Sequence, residues 1–423
     1  MAIPNTMNVE TPLTVQQARN LHLAAQSLLR PPRARATRRR LLVAIEGMQL
    51  IQLDTIHVVA RSPYFVLFSR LGAYPPQWLD NALAAGDIFE CWAHEACFAP
   101  IADYALHRHG TNPRDHHWAY RRAQRVHRED RAKMDRLLAH VRDNGPVKSS
   151  DFEREEKGQA GWWGWKDEKG WLEAWFALGE LMILRRENFQ RVYDLTERVL
   201  DSIGMQMPEA LEPAEIRRAQ MLRAVRALGV TQARWVADYF RSGKRFADDD
   251  LQPLVDSGEL VRVSVKGWAE CGYVHRDHAG LLEQARRGRL RATHTTLLSP
   301  FDPVVWDRER ASTMFGFDYT IECYTPQPKR RYGYFVLPIL RRGRLVGRLD
   351  AKAHRDGGLF EVKKLFLEKG IKADAGLVAD LAGAIRACAA WHDTPRMVIE
   401  HSEPAALLGS LRTALAQESI AAV

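Results

Sequence analysis

The sequence predicts an α+β protein made of repeated helical units that each end in a two-stranded hairpin, followed by a small β-rich domain and C-terminal helices. One short pattern occurs three times, as LDNALAAGDI at 79–88, LEAWFALGEL at 172–181 and LQPLVDSGEL at 251–260. In each copy a leucine is followed seven residues later by a glycine, then by an acid and an aliphatic residue. This order is typical of a helix that ends at a glycine and leads into a strand.

The residues around each copy extend the pattern in the same direction. Strand-like segments follow the copies in pairs, at 88–92 and 95–98, 181–184 and 189–193, and 260–263 and 271–275. Helical segments precede them, at 13–28 and 38–48, 131–144 and 149–156, and 214–228 and 233–240. Helices followed by a hairpin are the layout of a winged helix with a helix-turn-helix core. We therefore predict tandem winged-helix units over 1–120, 121–205 and 206–292.

The composition changes from Thr293 onwards. Strand-like segments separated by Arg-Gly and Asp-Gly-Gly turns are found at 332–340, 345–349 and 360–366. Helical segments follow at 373–391 and 404–415. The range 293–423 is therefore predicted to be a β-rich domain with C-terminal helices.

The composition indicates a basic protein that keeps its thiols reduced. Lysine and arginine number 61 against 52 acids, which gives a net charge of +9. An arginine-rich excess favours a phosphate-bearing partner, although a solvated basic surface accounts for the charge equally well. The five cysteines form no CxxC pair, and the sequence shows neither a signal peptide nor an apolar run of membrane-spanning length. We expect a cytoplasmic protein that does not enter the membrane.

The most informative segment is 49–56, which reads QLIQLDTI. It places a carboxylate, Asp54, and two amides, Gln49 and Gln52, in an apolar run that should be partly buried. Buried polar groups cost free energy unless they are paired or used in chemistry. Asp54 is therefore either the cap of a helix or turn, together with Thr55, or a working acid or base.

Other polar and aromatic residues are candidates for the same site or for a nucleic-acid contact. His94 should come near Asp54 if the first hairpin folds back, unless it is a core or surface histidine. Arg61 and Arg70 follow the motif in sequence. Their guanidinium groups either bind nucleic-acid phosphates or form ordinary salt bridges. Trp163 and Trp165 lie in a predicted loop and suit base stacking, whereas Trp171 and Trp175 at helical spacing suit a core. The basic run Lys329, Arg330 and Arg331 either binds the nucleic-acid backbone or is a charged loop before a strand. The histidine-rich stretch 107–117 has a spacing that matches no zinc site.

Together these segments resemble the bacterial winged-helix DNA glycosylases that unhook interstrand crosslinks, the AlkZ/YcaQ family. The resemblance covers about 13–391 and is most specific in the C-terminal part. The segments that carry it are 51–55, 69–71, 89–94, 298–303, 315–319, 322–324, 329–338 and 347–352. The family divides by a Gln-apolar-Gln or a Gln-apolar-Asp tripeptide, and Gln52, Leu53 and Asp54 are similar to the YcaQ-like branch.

The resemblance implies catalytic roles for the motif. Alkylation at N7 makes guanine a cationic leaving group, and its departure leaves an oxocarbenium-like sugar that a carboxylate stabilises. Asp54 would stabilise that cation and activate water, Gln52 would position the water or a phosphate, and His94 and Gln49 are secondary candidates. No lysine lies in the motif, so we expect a monofunctional glycosylase without lyase activity.

The expected function is therefore hydrolysis of the N-glycosidic bond of N7-alkylated purines and the unhooking of interstrand crosslinks. The expected partner is double-stranded DNA with alkylated or crosslinked guanine, bound by a monomer in an open cleft that needs neither a metal nor an organic cofactor. The alternative is a non-catalytic winged-helix transcriptional regulator, because winged helices bind DNA more often than they catalyse. Replacing Asp54 distinguishes the two, since only an enzyme would lose turnover.

Overall fold

In a computed structural model of the chain, the structure describes residues 11–108, 117–152, 167–243 and 245–416. The first repeated unit joins three helices to a three-stranded antiparallel sheet, with strand order β1-β3-β2. The short β1 pairs with β3, and Gln52 lies opposite Cys97. The elements of this part of the chain are α1 (Val15–Ala25), α2 (Arg38–Met48), β1 (Ile51–Gln52), α3 (Ser62–Leu71), α4 (Gln77–Ala84), β2 (Ile88–Trp92) and β3 (Ala96–Pro100).

The second unit has a three-stranded antiparallel sheet with the corresponding strand order β4-β6-β5. Its long helix begins at Trp118, earlier than predicted, and bends at Asp130, whose backbone is not helical. Residues 149–152 form turns where the sequence predicts the start of a helix. The elements are α5 (Tyr104–His107), α6 (Trp118–Asn144), β4 (Val147–Lys148), α7 (Asp167–Leu178), β5 (Leu181–Glu187), β6 (Gln190–Leu195) and α8 (Thr196–Ser202).

The third unit has the same order of elements, and a single bridge between Thr231 and Tyr273 stands where the first strand lies in the other two units. Its elements are α9 (Pro213–Leu228), α10 (Ala233–Phe240), α11 (Asp248–Asp256), β7 (Leu260–Val263), β8 (Gly272–His275) and α12 (Ala279–Arg286). The glycines of the repeated pattern, Gly86, Gly179 and Gly258, have φ angles of 73°, 88° and 73°. Only glycine adopts this left-handed region without strain, so the prediction of helices that end at these glycines is confirmed.

The C-terminal part is a five-stranded sheet with the order β13-β12-β11-β10-β9. All neighbours are antiparallel except β12 and β13, which are parallel. The sequence did not predict β13, a mostly exposed edge strand. The elements are β9 (Thr295–Leu297), α13 (Arg308–Phe315), β10 (Val336–Arg341), β11 (Arg344–His354), β12 (Leu359–Leu367), α14 (Ala375–Trp391), β13 (Arg396–Glu403) and α15 (Leu407–Ala416). The predicted α+β class is thus confirmed.

The units share their hydrophobic cores. Leu41 and Phe65 of the first unit, Trp175 of the second and Leu381 of α14 belong to one continuous cluster of buried side chains. The helix α1 lies at the start of the range 1–120 in sequence, but its Leu21 packs in a different core with side chains of the third unit and of α13. The clefts between units are therefore fixed by packed interfaces.

Candidate active site

The motif QLIQLDTI forms the end of α2, the strand β1 and a turn that carries Asp54. The Ile56 N–H donates a hydrogen bond to Asp54 Oδ1 over 2.7 Å. Among the described residues, Asp54 Oδ2 has no hydrogen-bond partner. The carboxylate therefore fixes a turn with one oxygen, as the structural alternative expects, and leaves the other oxygen available for chemistry.

Asp54 is only partly buried, yet its surroundings change its acidity. Burial raises the pKa of its carboxyl, and the hydrogen bond from the Ile56 N–H offsets this only in part. A raised pKa makes the carboxylate a better proton acceptor, which suits a general base.

Asp54 lies in an open cleft of about 1010 Å³ between the first unit, the third unit and the C-terminal part. The first unit supplies Gln52 together with Asp54, so the structure brings these two motif residues into one cleft. The other side chains that line it include His94, Arg241, Phe301, Trp306, Arg308, Tyr319 and Tyr324.

A second hollow, of about 770 Å³, lies on the other side of the motif. Leu53, Asp54 and Ala96 line both hollows, so Asp54 stands on the ridge between them. The second unit supplies most of the other walls, with Lys169, Glu173, Arg186, Phe189, Arg191 and Tyr193 among them. The ridge therefore separates a hollow with several aromatic side chains from one that contains Lys169, Arg186 and Arg191, which we call the basic hollow.

Gln49 does not join Asp54. Its backbone has a φ of 64° at the end of α2, and its side chain donates to the Glu46 carbonyl. It is 4% exposed and lines a different cleft, between the first and third units. The chain turns at the positive φ of Gln49 before it enters β1, so the two glutamines line different clefts although they are close in sequence.

His94 lines the cleft as predicted but is held in the interior. Its ring stacks on Trp306 with centroids 4.2 Å apart, and its Nδ1 lies 2.9 Å from the Asp238 carbonyl oxygen. Burial first, and then the charge of Arg241, lowers the pKa of His94 to about 3. The ring is therefore neutral at physiological pH and serves as a wall and a hydrogen-bonding group, without acting as an acid.

The two arginines that follow the motif lie in different settings. The Arg61 guanidinium lies over the Phe189 ring at 4.4 Å, and among the described residues it has no carboxylate partner, so it remains suited to phosphate. Arg70 is 4% exposed and forms a two-pronged ion pair with Asp302. This placement corrects the prediction of a DNA contact at Arg70, because its guanidinium is consumed in joining α3 to the segment after β9.

The basic run 329–331 lies on the segment that also carries Tyr324. Lys329 and Arg331 are exposed, whereas Arg330 donates to the Thr325 carbonyl over 2.8 Å and lies over the Tyr334 ring at 4.9 Å. The run is thus a charged segment before β10, and the part of this segment that lines the Asp54 cleft is Tyr324. Trp163 and Trp165 lie outside the described residues.

The sequence did not identify Glu90, Arg186 or Arg191 as site residues. These three side chains form an ion-pair cluster behind the ridge that carries Asp54. Glu90 is 2% exposed and accepts from Arg186 Nη2 over 2.9 Å and from Arg191 Nε over 2.8 Å. Burial opposes its ionisation, but the two guanidinium groups lower the pKa of Glu90 overall. The sequence feature that could have indicated this cluster is the pair of arginines on either side of the β5–β6 turn. Their shared partner, Glu90, lies in another unit.

No group of three or more His, Cys, Asp or Glu side chains that could hold a metal ion occurs in the part of the chain that the structure describes. Over the same residues, no helix is both long enough and apolar enough to cross a bilayer.

Comparisons with known proteins place this fold in a class. The structure is similar to the DNA glycosylase AlkZ of Streptomyces sahachiroi, with a TM-score of 0.58 and 14% sequence identity over 92% of this chain and 100% of that one. At this identity the likeness establishes a shared fold, the fold of a DNA glycosylase.

The family follows from a second comparison. A family model described as DNA glycosylase AlkZ-like matches residues 45–391, and the chain belongs to that family. It is therefore a DNA glycosylase of DNA repair, a hydrolase that binds DNA, and the resemblance stated from the sequence is confirmed.

Proposed function

We propose that this glycosylase hydrolyses the N-glycosidic bond of N7-alkylated purines, including a guanine that is one half of an interstrand crosslink. The observation that carries the proposal is the free oxygen of Asp54, on a half-buried carboxylate of raised pKa at the ridge between two open hollows. An acidic side chain beside two hollows that both contain arginines is suited to a cationic sugar held between phosphates.

The reaction needs little from the protein beyond placement and charge. The bond between C1′ and N9 breaks, and its electron pair moves into the purine and neutralises the N7 cation. Water attacks C1′, and its proton passes to the Asp54 carboxylate, which also stabilises the oxocarbenium-like transition state. Gln52, which is 8% exposed on β1 beside Asp54, would orient that water or a flanking phosphate.

The open form of the site supports a crosslinked substrate. A crosslinked guanine remains tied to the opposite strand, so it cannot turn fully into a closed pocket as in ordinary base flipping. Asp54 lies on a ridge that is accessible from two sides. The second hollow could receive the linker or the attached base while the scissile sugar lies at the ridge.

The three repeated units would approach DNA as winged-helix domains, with the boundaries 1–120, 121–205 and 206–292 and the β-rich part at 293–423. Their common order of helices and hairpin, and the pairing of the first strand or bridge with the last strand, support this. Arg61, Lys329 and Arg331 are the proposed phosphate contacts, and one chain contains the complete site, which supports action as a monomer.

The enzyme would be monofunctional. A lyase would need an amine to attack C1′ and form a Schiff base. Among the residues that the structure describes, Lys169 is the lysine that lines the basic hollow, so it is the side chain to test. We expect borohydride to trap no covalent complex with wild-type protein, and a trapped complex that disappears in Lys169→Met would contradict the proposal.

The central experiment is single-turnover base release from a duplex with one N7-methylguanine, comparing wild type with Asp54→Asn. We expect a loss of at least about a hundredfold in the variant with DNA affinity retained, the usual size of a positioned base or electrostatic contribution. Gln49→Ala is the matched control, because Gln49 belongs to the same motif but lines another cleft. DNA binding without release, on this lesion and on a nitrogen-mustard crosslink, would instead favour a regulator.

A further inference from the structure

One wall of the Asp54 cleft carries an aromatic side chain that the catalytic motif does not explain. Tyr324 lines the cleft with Gln52 and Asp54, and its side chain is 77% exposed. It is the most exposed of the large hydrophobic side chains among the described residues. Because burying a tyrosine ring is favourable, an exposed ring at an active site indicates a surface that a ligand covers.

The segment that presents Tyr324 is held in place by its neighbour. The Glu322 carboxylate accepts hydrogen bonds from the backbone N–H groups of Arg331, Tyr332 and Gly333, over 3.0, 2.7 and 3.1 Å. These bonds close the loop at its base, and the bond from Arg330 to the Thr325 carbonyl braces it from within. Tyr324 is therefore a positioned ring on a braced loop, which reduces the entropy lost when a ligand stacks on it.

The electrostatics around the ring favour a flat cation. The face of a tyrosine ring carries negative potential, and the Asp54 carboxylate lies in the same cleft. Partial removal of its hydroxyl group from water by the cleft, and then the charge of Asp54, raises the pKa of Tyr324 to about 12, so the phenol stays neutral at physiological pH. Tyr319 and Trp306 add further aromatic surface.

N7-alkylated purines differ from unmodified purines in the positive charge that is spread over their ring. An aromatic side chain beside a carboxylate can distinguish the two by this charge. We propose that Tyr324 is a specificity-determining residue that stacks on the cationic ring of an N7-alkylated purine and distinguishes it from neutral bases. The inference rests on the proposed function, since it names how that substrate class is recognised.

The test is a binding measurement in the Asp54→Asn background, which prevents turnover and removes the direct attraction of the carboxylate for a cation. One duplex carries 2′-fluoro-N7-methylguanine, which is cationic and resists hydrolysis. The other carries 7-methyl-7-deazaguanine, which has the same shape without the charge. We expect the parent to bind the cationic duplex roughly three- to tenfold more tightly, the range of a cation–π contact.

Adding Tyr324→Leu should remove most of this preference, whereas Tyr324→Phe should keep it. Tyr334→Leu is the matched control, because Tyr334 lies on the same segment and is 38% exposed but does not line the cleft. An equal loss of affinity for both duplexes would overturn the inference and indicate general stacking on DNA, and an unchanged preference would also overturn it. Base release by wild type tests the proposed function separately, so the two failures are distinguishable.

Discussion

At the scale of single residues, Asp54 determines how the reaction should respond to pH. Asp54 can accept a proton or stabilise the sugar cation only in its ionised form. The rate of base release should therefore fall as the pH falls through the pKa of Asp54. Burial raises that pKa, so the fall should be centred above the value of about 3.9 for an ordinary aspartate. Single-turnover rates from pH 4 to 8, corrected for uncatalysed depurination, measure this directly.

The same profile tests the state of His94. With a pKa lowered to about 3, its ring stays neutral over this pH range and should add no second step. A step near pH 6.5 that disappears in His94→Asn would show instead that the histidine titrates in the reaction. The asparagine amide is a suitable replacement because it can still donate to the Asp238 carbonyl, the present neighbour of Nδ1.

The sequence was sufficient to predict that Gln52 and Asp54 lie close together, because both belong to one short segment after α2. The sequence could not predict the position of the Gln49 side chain. That position depends on the positive φ of Gln49 at the end of α2, and no glycine at this position indicates such a conformation. Trp306 and Tyr324 could not be found either. They reach Asp54 only through packing of the C-terminal part against the first unit.

At the scale of elements, Glu90 joins the first hairpin to the second. It lies on β2, and its partners Arg186 and Arg191 lie on β5 and β6. Replacement by glutamine keeps the shape but leaves two largely buried guanidinium groups without the carboxylate that they share. Removing one partner of a buried ion pair typically costs about 3–5 kcal/mol, so Glu90→Gln should lower the free energy of unfolding by an amount of this order.

Urea unfolding measures that loss, and Glu187→Gln is its control. Glu187 ends β5 and pairs with Lys148 and Arg185 in contact with solvent, where ion pairs contribute little. Equal stability changes in the two variants would show that burial of the Glu90 cluster has no special importance. Base release should fall in Glu90→Gln alone, because Arg186 and Arg191 also line the basic hollow beside Asp54.

The elements themselves were predictable where local chemistry dictates them. Each repeated glycine takes a positive φ that ends a helix, and each is followed by a hairpin, so three units could be recognised. The edge strand β13 was missed because it is mostly exposed and pairs in parallel with β12, from which it is separated in sequence by α14. The packing of α1 against the third unit could not be predicted either, because the apolar face of an amphipathic helix does not specify which core it joins.

At the scale of the whole molecule, two deeply buried neutral histidines join separate parts of the chain. His22 of α1 is fully buried, and its Nδ1 lies 2.7 Å from the Leu228 carbonyl oxygen at the end of α9. Burial first, and then the charge of Arg310, lowers its pKa to about 3. His94, with a pKa of about 3, similarly contacts α10 of the third unit through the Asp238 carbonyl.

These histidines should make the folded state sensitive to mild acid. Their pKa values are lower when folded than the ordinary 6.5, so the unfolded chain binds more protons between about pH 6.5 and 3. Stability should therefore be complete above pH 6.5 and decrease as pH falls, by up to about 1.4 kcal/mol for each histidine at pH 5.5. Urea unfolding at pH 5.5 and 7.5 measures the difference. His94→Asn should reduce it by the share of one histidine, up to about 1.4 kcal/mol, because His392 and His57, whose pKa values are lowered to about 3 and about 4, also contribute. A pH-independent free energy of unfolding would show that these histidines are not held neutral in the fold.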